Sequence, residues 1–128
     1  TSIIARKGYL VVSALLELEA GEKGTIEARM QELKEARTSK QPLEYASAGS
    51  TFKRPEGYFA GKLIMDAGLR GYAVGGAQVS EKHCGFVINK GGATAEEVQL
   101  LMKEVADRVE EKFGVRLEPE VKMLGEFK

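Results

Sequence analysis

Residues 9–18 open the pattern of apolar and polar positions. Tyr9-Leu10-Val11-Val12 and Leu15-Leu16 are β-branched, aromatic or branched aliphatic, and the run closes at Ala20-Gly21. It predicts a strand, and the lack of clean alternation predicts cover on both faces. Residues 23–39 change period. Ile26, Met30, Leu33 and Arg37 recur at three and four among good helix formers, which predicts a helix that Pro42 stops. Small and polar residues then take over across residues 45–55, predicting a shaped loop. A short helix is expected over residues 58–67, ended by Gly68, and glycine-interrupted strands with a bend over residues 71–80. Residues 84–89 predict a buried strand turned by Lys90-Gly91-Gly92. The clearest element follows. Thr94 and Glu97 fit a capping box, Val98, Leu101, Met102, Val105, Val109 and Phe113 form one apolar stripe, and Gly114 supplies the stop. Residues 115–117 and 121–124 are expected to finish the chain as short strands.

Helices and strands without regular βαβ alternation place the chain in the α+β class, with a small mixed sheet packed against helices. Its 128 residues suit one domain with a core of its own. A 43% apolar and 30% charged composition excludes a disordered chain. Nineteen basic side chains balance nineteen acidic ones, which argues against a global field for nucleic acid or an acidic membrane. No apolar run nears the roughly 18 residues of a transmembrane helix. One cysteine, Cys84, allows no internal disulfide and, with the single His83, makes a poor metal site, so a cytoplasmic protein without a metal is expected. The chain starts at Thr1 rather than Met, which suggests a piece of something longer.

Neutrality hides opposed regions. Residues 40–62 hold Lys40, Lys53, Arg54 and Lys62 against Glu44 and Glu56, while residues 96–111 are strongly acidic. The basic stretch coincides with Ser47-Ala48-Gly49-Ser50, where small residues let a backbone approach a ligand and Lys53 and Arg54 could hold phosphate. The competing reading is a polar turn leading into a helix. Neither a P-loop nor a dinucleotide fingerprint is present. Ser50, His83 and Asp66 could be grouped as a hydrolytic triad, but no G-x-S-x-G elbow surrounds the serine. Glu120, next to core-like Val121, is a candidate for partial burial.

The ordered series Lys40-Gln41-Pro42, Ser47-Ala48-Gly49-Ser50-x-Phe52-Lys53-Arg54-Pro55, Gly57-Tyr58-Phe59-Ala60-Gly61-Lys62-Leu63-Ile64, Gly75-Gly76-Ala77-Gln78-Val79-Ser80-x-Lys82-His83 and Glu120-Val121-Lys122-x-Leu124-Gly125-Glu126 resembles the C-terminal part of the UDP-N-acetylenolpyruvoylglucosamine reductases. The resemblance runs over nearly the whole chain and matches the compact subtype. It implies that residues 1–20 are the last strand and exit of a flavin-binding domain, and that residues 21–128 are the substrate-binding domain. FAD, held mainly by an upstream portion of the same protein, would be reduced by NADPH, and the substrate would be UDP-N-acetylglucosamine enolpyruvate in peptidoglycan precursor synthesis. Ser50 would protonate the carbanion left by hydride addition. Glu120 would stabilise the enolate, which an acidic side chain can do only when protonated or through a donor. Lys40, by its motif, would contact the diphosphate, with Lys53, Arg54 and His83 as further substrate contacts. Arg54 stands where many members have asparagine, and Lys122 where arginine is common. An arginine of the family's catalytic set precedes the positions of Thr1-Ser2, so this chain alone would not turn over. The alternative is a non-catalytic nucleotide-sugar binding module.

Overall fold

The computed structural model describes residues 3–125, so Thr1, Ser2 and the motif's Glu126 lie outside the described residues. The chain divides into two units, one ending at Leu33 and the other beginning at Lys34. In the first, a short helix, α1 (Ile3–Lys7), precedes the apolar run. Residues 9–18 correct the expectation of a covered strand: they lie in no helix or strand and are exposed, Leu10 at 87% and Leu15 at 99%. A strand exists only with a ladder partner, and none of the described strands pairs with this run.

Helix α2 (Lys23–Lys40) begins where the Glu22 carboxylate accepts from the N–H groups of Gly24 and Thr25, at 2.9 and 2.6 Å. Those bonds hold the Glu22 carboxyl below its ordinary value. The predicted stripe is present, yet no residue of α2 is buried.

The second unit is built on a four-stranded sheet in the order β1-β4-β3-β2, with β1 (Ala46–Ser50), β2 (Ala73–Val74), β3 (Ala77–Val79) and β4 (Phe86–Asn89). The α+β class holds, and every pairing is antiparallel where a mixed sheet was expected. Helix α3 (Ala60–Asp66) lies between β1 and β2 in sequence, and α4 (Ala95–Phe113) follows β4. Two further expectations need correction. The predicted loop before Thr51 is strand β1, because pairing with β4 overrides the poor strand propensity of Ala-Ser-Ala-Gly-Ser. The chain end forms no strands among the described residues, only an isolated bridge between Phe52 and Pro119.

Helix α4 begins with the full capping box of Thr94 and Glu97 and ends at Gly114, whose φ of 68° is left-handed. Leu101, Met102, Val105, Ala106 and Val109 are buried from its stripe and join Ala77, Val79 and Val87 in the core. Burying each large aliphatic side chain stabilises the unit by about 1.5–3 kcal/mol. Val87 enters that core, while its neighbours Phe86 and Ile88 point to the opposite sheet face and are also buried.

Candidate functional site

Strand β1 is irregular in the middle, and the irregularity aims the serine. Ala46 and Ser47 pair with Asn89 and Ile88, but Ser50 pairs with Phe86, so β1 carries one extra residue before Ser50. Gly49 takes up the bulge with φ of 85°, a conformation costly to any residue with a Cβ. Past the bulge the chain is pinned. Thr51 is 2% exposed, its N–H donates to the Gly85 carbonyl at 2.9 Å, and its hydroxyl accepts from the Val87 N–H at 2.8 Å. The Glu120 N–H donates to the Thr51 carbonyl at 2.9 Å, and Lys53 N–H donates to the Glu118 carbonyl at 2.8 Å. The end of the chain is thereby laid beside β1, and Ser50 and Glu120 line one open groove with Ala48, Val121 and Lys122.

On its other side Ser50 borders a cleft of about 420 Å³. Four cations line it, Arg54, Lys62, Arg70 and Lys82, together with His83, and no carboxylate among the described residues does. The Arg54 guanidinium lies 4.0 Å over the Phe59 ring, and its Nε donates to the Tyr58 carbonyl at 3.3 Å. That stacking fixes the fork while leaving its outer donors free. Lys62 donates to Asp66 at 2.7 Å and Lys82 lies 3.6 Å from Glu44, each pair exposed, while Arg70 has no ion-pair partner among the described residues. Excess positive charge in a concave wall favours an anion, and a phosphate group offers the acceptors such donors need.

His83 stands at the floor. Its Nδ1 accepts from the Gly85 N–H at 3.0 Å, which puts the proton of the neutral ring on Nε2. Its ring meets Phe86 edge-on, with centroids 4.9 Å apart. Gly61 of α3 rests against this turn so closely that a Cβ there would lie 3.1 Å from the Gly85 nitrogen.

The family model for the C-terminal domain of UDP-N-acetylenolpyruvoylglucosamine reductase matches residues 41–124. The chain belongs to that family. The relative from Agathobacter rectalis is 66% identical over 126 residues, covering 98% of this chain and 40% of its own length. That from Lachnoclostridium phytofermentans is 65% identical with 98% and 41% covered. The solved structure of UDP-N-acetylenolpyruvylglucosamine reductase from Thermus caldophilus superposes with a TM-score of 0.64 at 40% identity, covering 81% of this chain and 37% of that one. The chain thus spans about two fifths of the length of the curated relatives it matches.

Of the residues the reductase resemblance points to, the fold joins Ser50, Arg54 and His83 in the cleft and Ser50 and Glu120 in the groove. Two lie elsewhere. Lys53 turns away from the cleft and pairs with Glu118 at 3.0 Å, and Lys40, the last residue of α2, lines neither space. The expected partial burial of Glu120 does not occur, since its side chain projects from an exposed terminal segment. Asp66 engages Lys62 rather than Ser50 or His83, so no triad forms. Sequence reasoning passes over Lys82 and Arg70 as site residues, and over Thr51. For Thr51 a signal existed, a β-branched hydroxyl directly after the small-residue motif.

Proposed function

We propose that this chain is the substrate-facing part of a reductase that converts UDP-N-acetylglucosamine enolpyruvate to UDP-N-acetylmuramate. The observation that carries the reading is the Gly49 bulge, which presents Ser50 where a cationic cleft meets the groove holding Glu120. In it, Arg54, Lys62, Arg70 and Lys82 hold the diphosphate, with His83 a polar contact through Nε2–H. Lys40 belongs to the same substrate assignment by motif alone, whereas Lys53, paired with Glu118 outside the cleft, is left out of it. Ser50 gives its hydroxyl proton to the enolpyruvyl carbon once that carbon carries negative charge conjugated with the carboxylate. A hydroxyl is a weak acid, but a carbanion is base enough to take its proton when held in contact. Glu120 meets the charge on the carboxylate oxygens, either protonated or through a donor between them.

Neither long helix offers an open N-terminus to the diphosphate of a flavin dinucleotide. At the two long helices the N-terminal N–H groups that would meet its diphosphate are taken by Glu22 and by Thr94 with Glu97. FAD and the reductant NADPH are therefore left to the portion of the relatives that this chain does not span. Residues 1–20 belong with that portion, which would cover the exposed Leu10, Val12 and Leu15. The isolated chain then neither binds flavin nor turns over. The assembled enzyme works in the cytoplasm; among the described residues no helix is long and apolar enough to cross a membrane.

Replacement of Ser50 by alanine in the full-length reductase tests the reading. NADPH should still bleach the flavin at the wild-type rate, while formation of the reduced sugar nucleotide slows by about 10²- to 10⁴-fold. Product formation near the wild-type rate would remove Ser50 as the proton donor. The four-cation cleft also fits a module that only binds nucleotide sugars. Tight UDP-sugar binding by this chain, combined with unimpaired turnover of the Ser50→Ala enzyme, would favour that module.

A further inference from the structure

Thr51 touches neither the cleft nor the groove where Ser50 stands, yet the shortest main-chain link from Ser50 to Glu120 runs through it. It follows Ser50 directly. Its carbonyl is the acceptor for the Glu120 N–H at 2.9 Å, and its own N–H and hydroxyl are tied to Gly85 and Val87 of the neighbouring strand region. At 2% exposure, none of these bonds can be exchanged for water without opening the sheet. Val87 is itself buried at 8%, and its N–H reaches across to the threonine oxygen rather than to water.

From this we infer that Thr51 is a positioning residue that sets Ser50 and Glu120 in register with each other, through a hydroxyl that locks the far side of the Gly49 bulge. The inference rests on the roles of Ser50 and Glu120 proposed above. Without the hydroxyl, the Val87 N–H loses this buried acceptor, and the bulge loses one of the ties that keep Ser50 opposite Phe86. The serine then samples positions off the productive one, and displacement of about an ångström suffices to slow proton delivery about 100-fold. Substrate binding is spared, because three of the four cleft cations, Arg54, Lys62 and Arg70, sit on α3 and its flanking loops, and Lys82 sits in the β3–β4 turn, all of them off the bulge.

Thr51→Val keeps the shape and deletes the acceptor, whereas Thr51→Ser keeps the acceptor and deletes a methyl group. In the full-length reductase, Thr51→Val should slow product formation by about 10- to 100-fold. NADPH-driven flavin reduction and the KM for the sugar nucleotide should stay within about 3-fold of wild type, since neither depends on the serine's aim. The solvent deuterium isotope effect on product formation should rise as proton delivery becomes limiting, and Thr51→Ser should restore both rate and isotope effect. A packing role alone predicts that Ser is no better than Val and that the isotope effect does not move. Either result overturns the inference. Should Thr51→Val fail to fold, Thr51→Cys, a weaker acceptor, decides: an intermediate rate with a raised isotope effect supports the coupling, and a wild-type isotope effect refutes it. Ser50→Ala measured alongside separates the two levels. If it forms product normally the catalytic reading fails, and if it does not while Thr51→Val does, only the positioning role fails.

Discussion

Gly49→Ala puts the backbone argument to a quantitative test. Gly49 has φ of 85°, and a Cβ built on it meets nothing within 4 Å, so substitution adds no collision and only the left-handed backbone penalty applies. That penalty is about 1–2 kcal/mol for a residue with a Cβ. The chain could escape it by removing the bulge, but slipping β1 by one residue would sacrifice the three Thr51 bonds to Gly85, Val87 and Glu120. At about 1 kcal/mol each these total about 3 kcal/mol, more than the strain. The bulge should therefore survive. In guanidinium denaturation of this chain, Gly49→Ala should lose about 1–2 kcal/mol and Gly49→Asn less, because asparagine tolerates the left-handed region. Turnover of the full-length enzyme carrying Gly49→Ala should fall less than about 10-fold, since Ser50 keeps its register. No stability loss at all would mean that the bulge does not need glycine. A loss above about 3 kcal/mol, or a collapse of turnover, would mean that the Thr51 bonds do not hold the register.

Other expectations can be checked in parallel. The Glu97 carboxylate accepts from the Thr94 and Gly76 N–H groups and is held below its ordinary value of 4.5 chiefly by these bonds. Its folded pKa being depressed, its contribution is full above about pH 4.5 and is lost as pH falls through the folded value, so the stability gap between wild type and Glu97→Gln should close on acidification. Leu101→Ala, at a side chain with 0% exposure, should cost about 2–5 kcal/mol in thermal or chemical unfolding. Arg54→Ala should raise the KM for the sugar nucleotide about 10-fold, whereas Lys53→Ala, whose cation is occupied by an exposed pair with Glu118, should change it by less than about 3-fold. Equal effects at the two positions would refute the separation of their faces.

What the residues announced and what they hid have physical causes. Helix α4 was legible from Thr94 to Gly114 because capping and periodicity are local properties. The α+β class was legible for the same reason, and so was the family. Strand β1 was not, since Ala46 to Gly49 carry no strand preference and the element exists only because β4 offers a ladder. The error at residues 9–18 ran the other way: apolar content reports a need for cover, and says nothing about which partner provides it. The fold brings Ser50, Arg54 and His83 to one cleft, whereas Lys53, next to Arg54 in the chain, faces elsewhere. Neighbours in extended chain point to opposite sides, which is why Lys53 reaches Glu118 while Arg54 reaches Phe59.

The meeting of Gly61 with Gly85 has a bearing on how this cleft can change. Its floor there is main chain against main chain, and a Cβ on Gly85 would come within 2.9 Å of the His83 ring. No substitution can deepen the floor at that contact, where there is no side chain to trim, and an added Cβ would push α3 away from the turn. Adaptation to a different sugar nucleotide, or escape from an inhibitor lying flat on that contact, has to be written in the side chains around it, such as Arg54, Phe59, Lys62, Met65, Arg70 and Lys82. A flat ligand that draws its grip from the glycine contact rather than from those side chains leaves the protein few mutational exits that still fold.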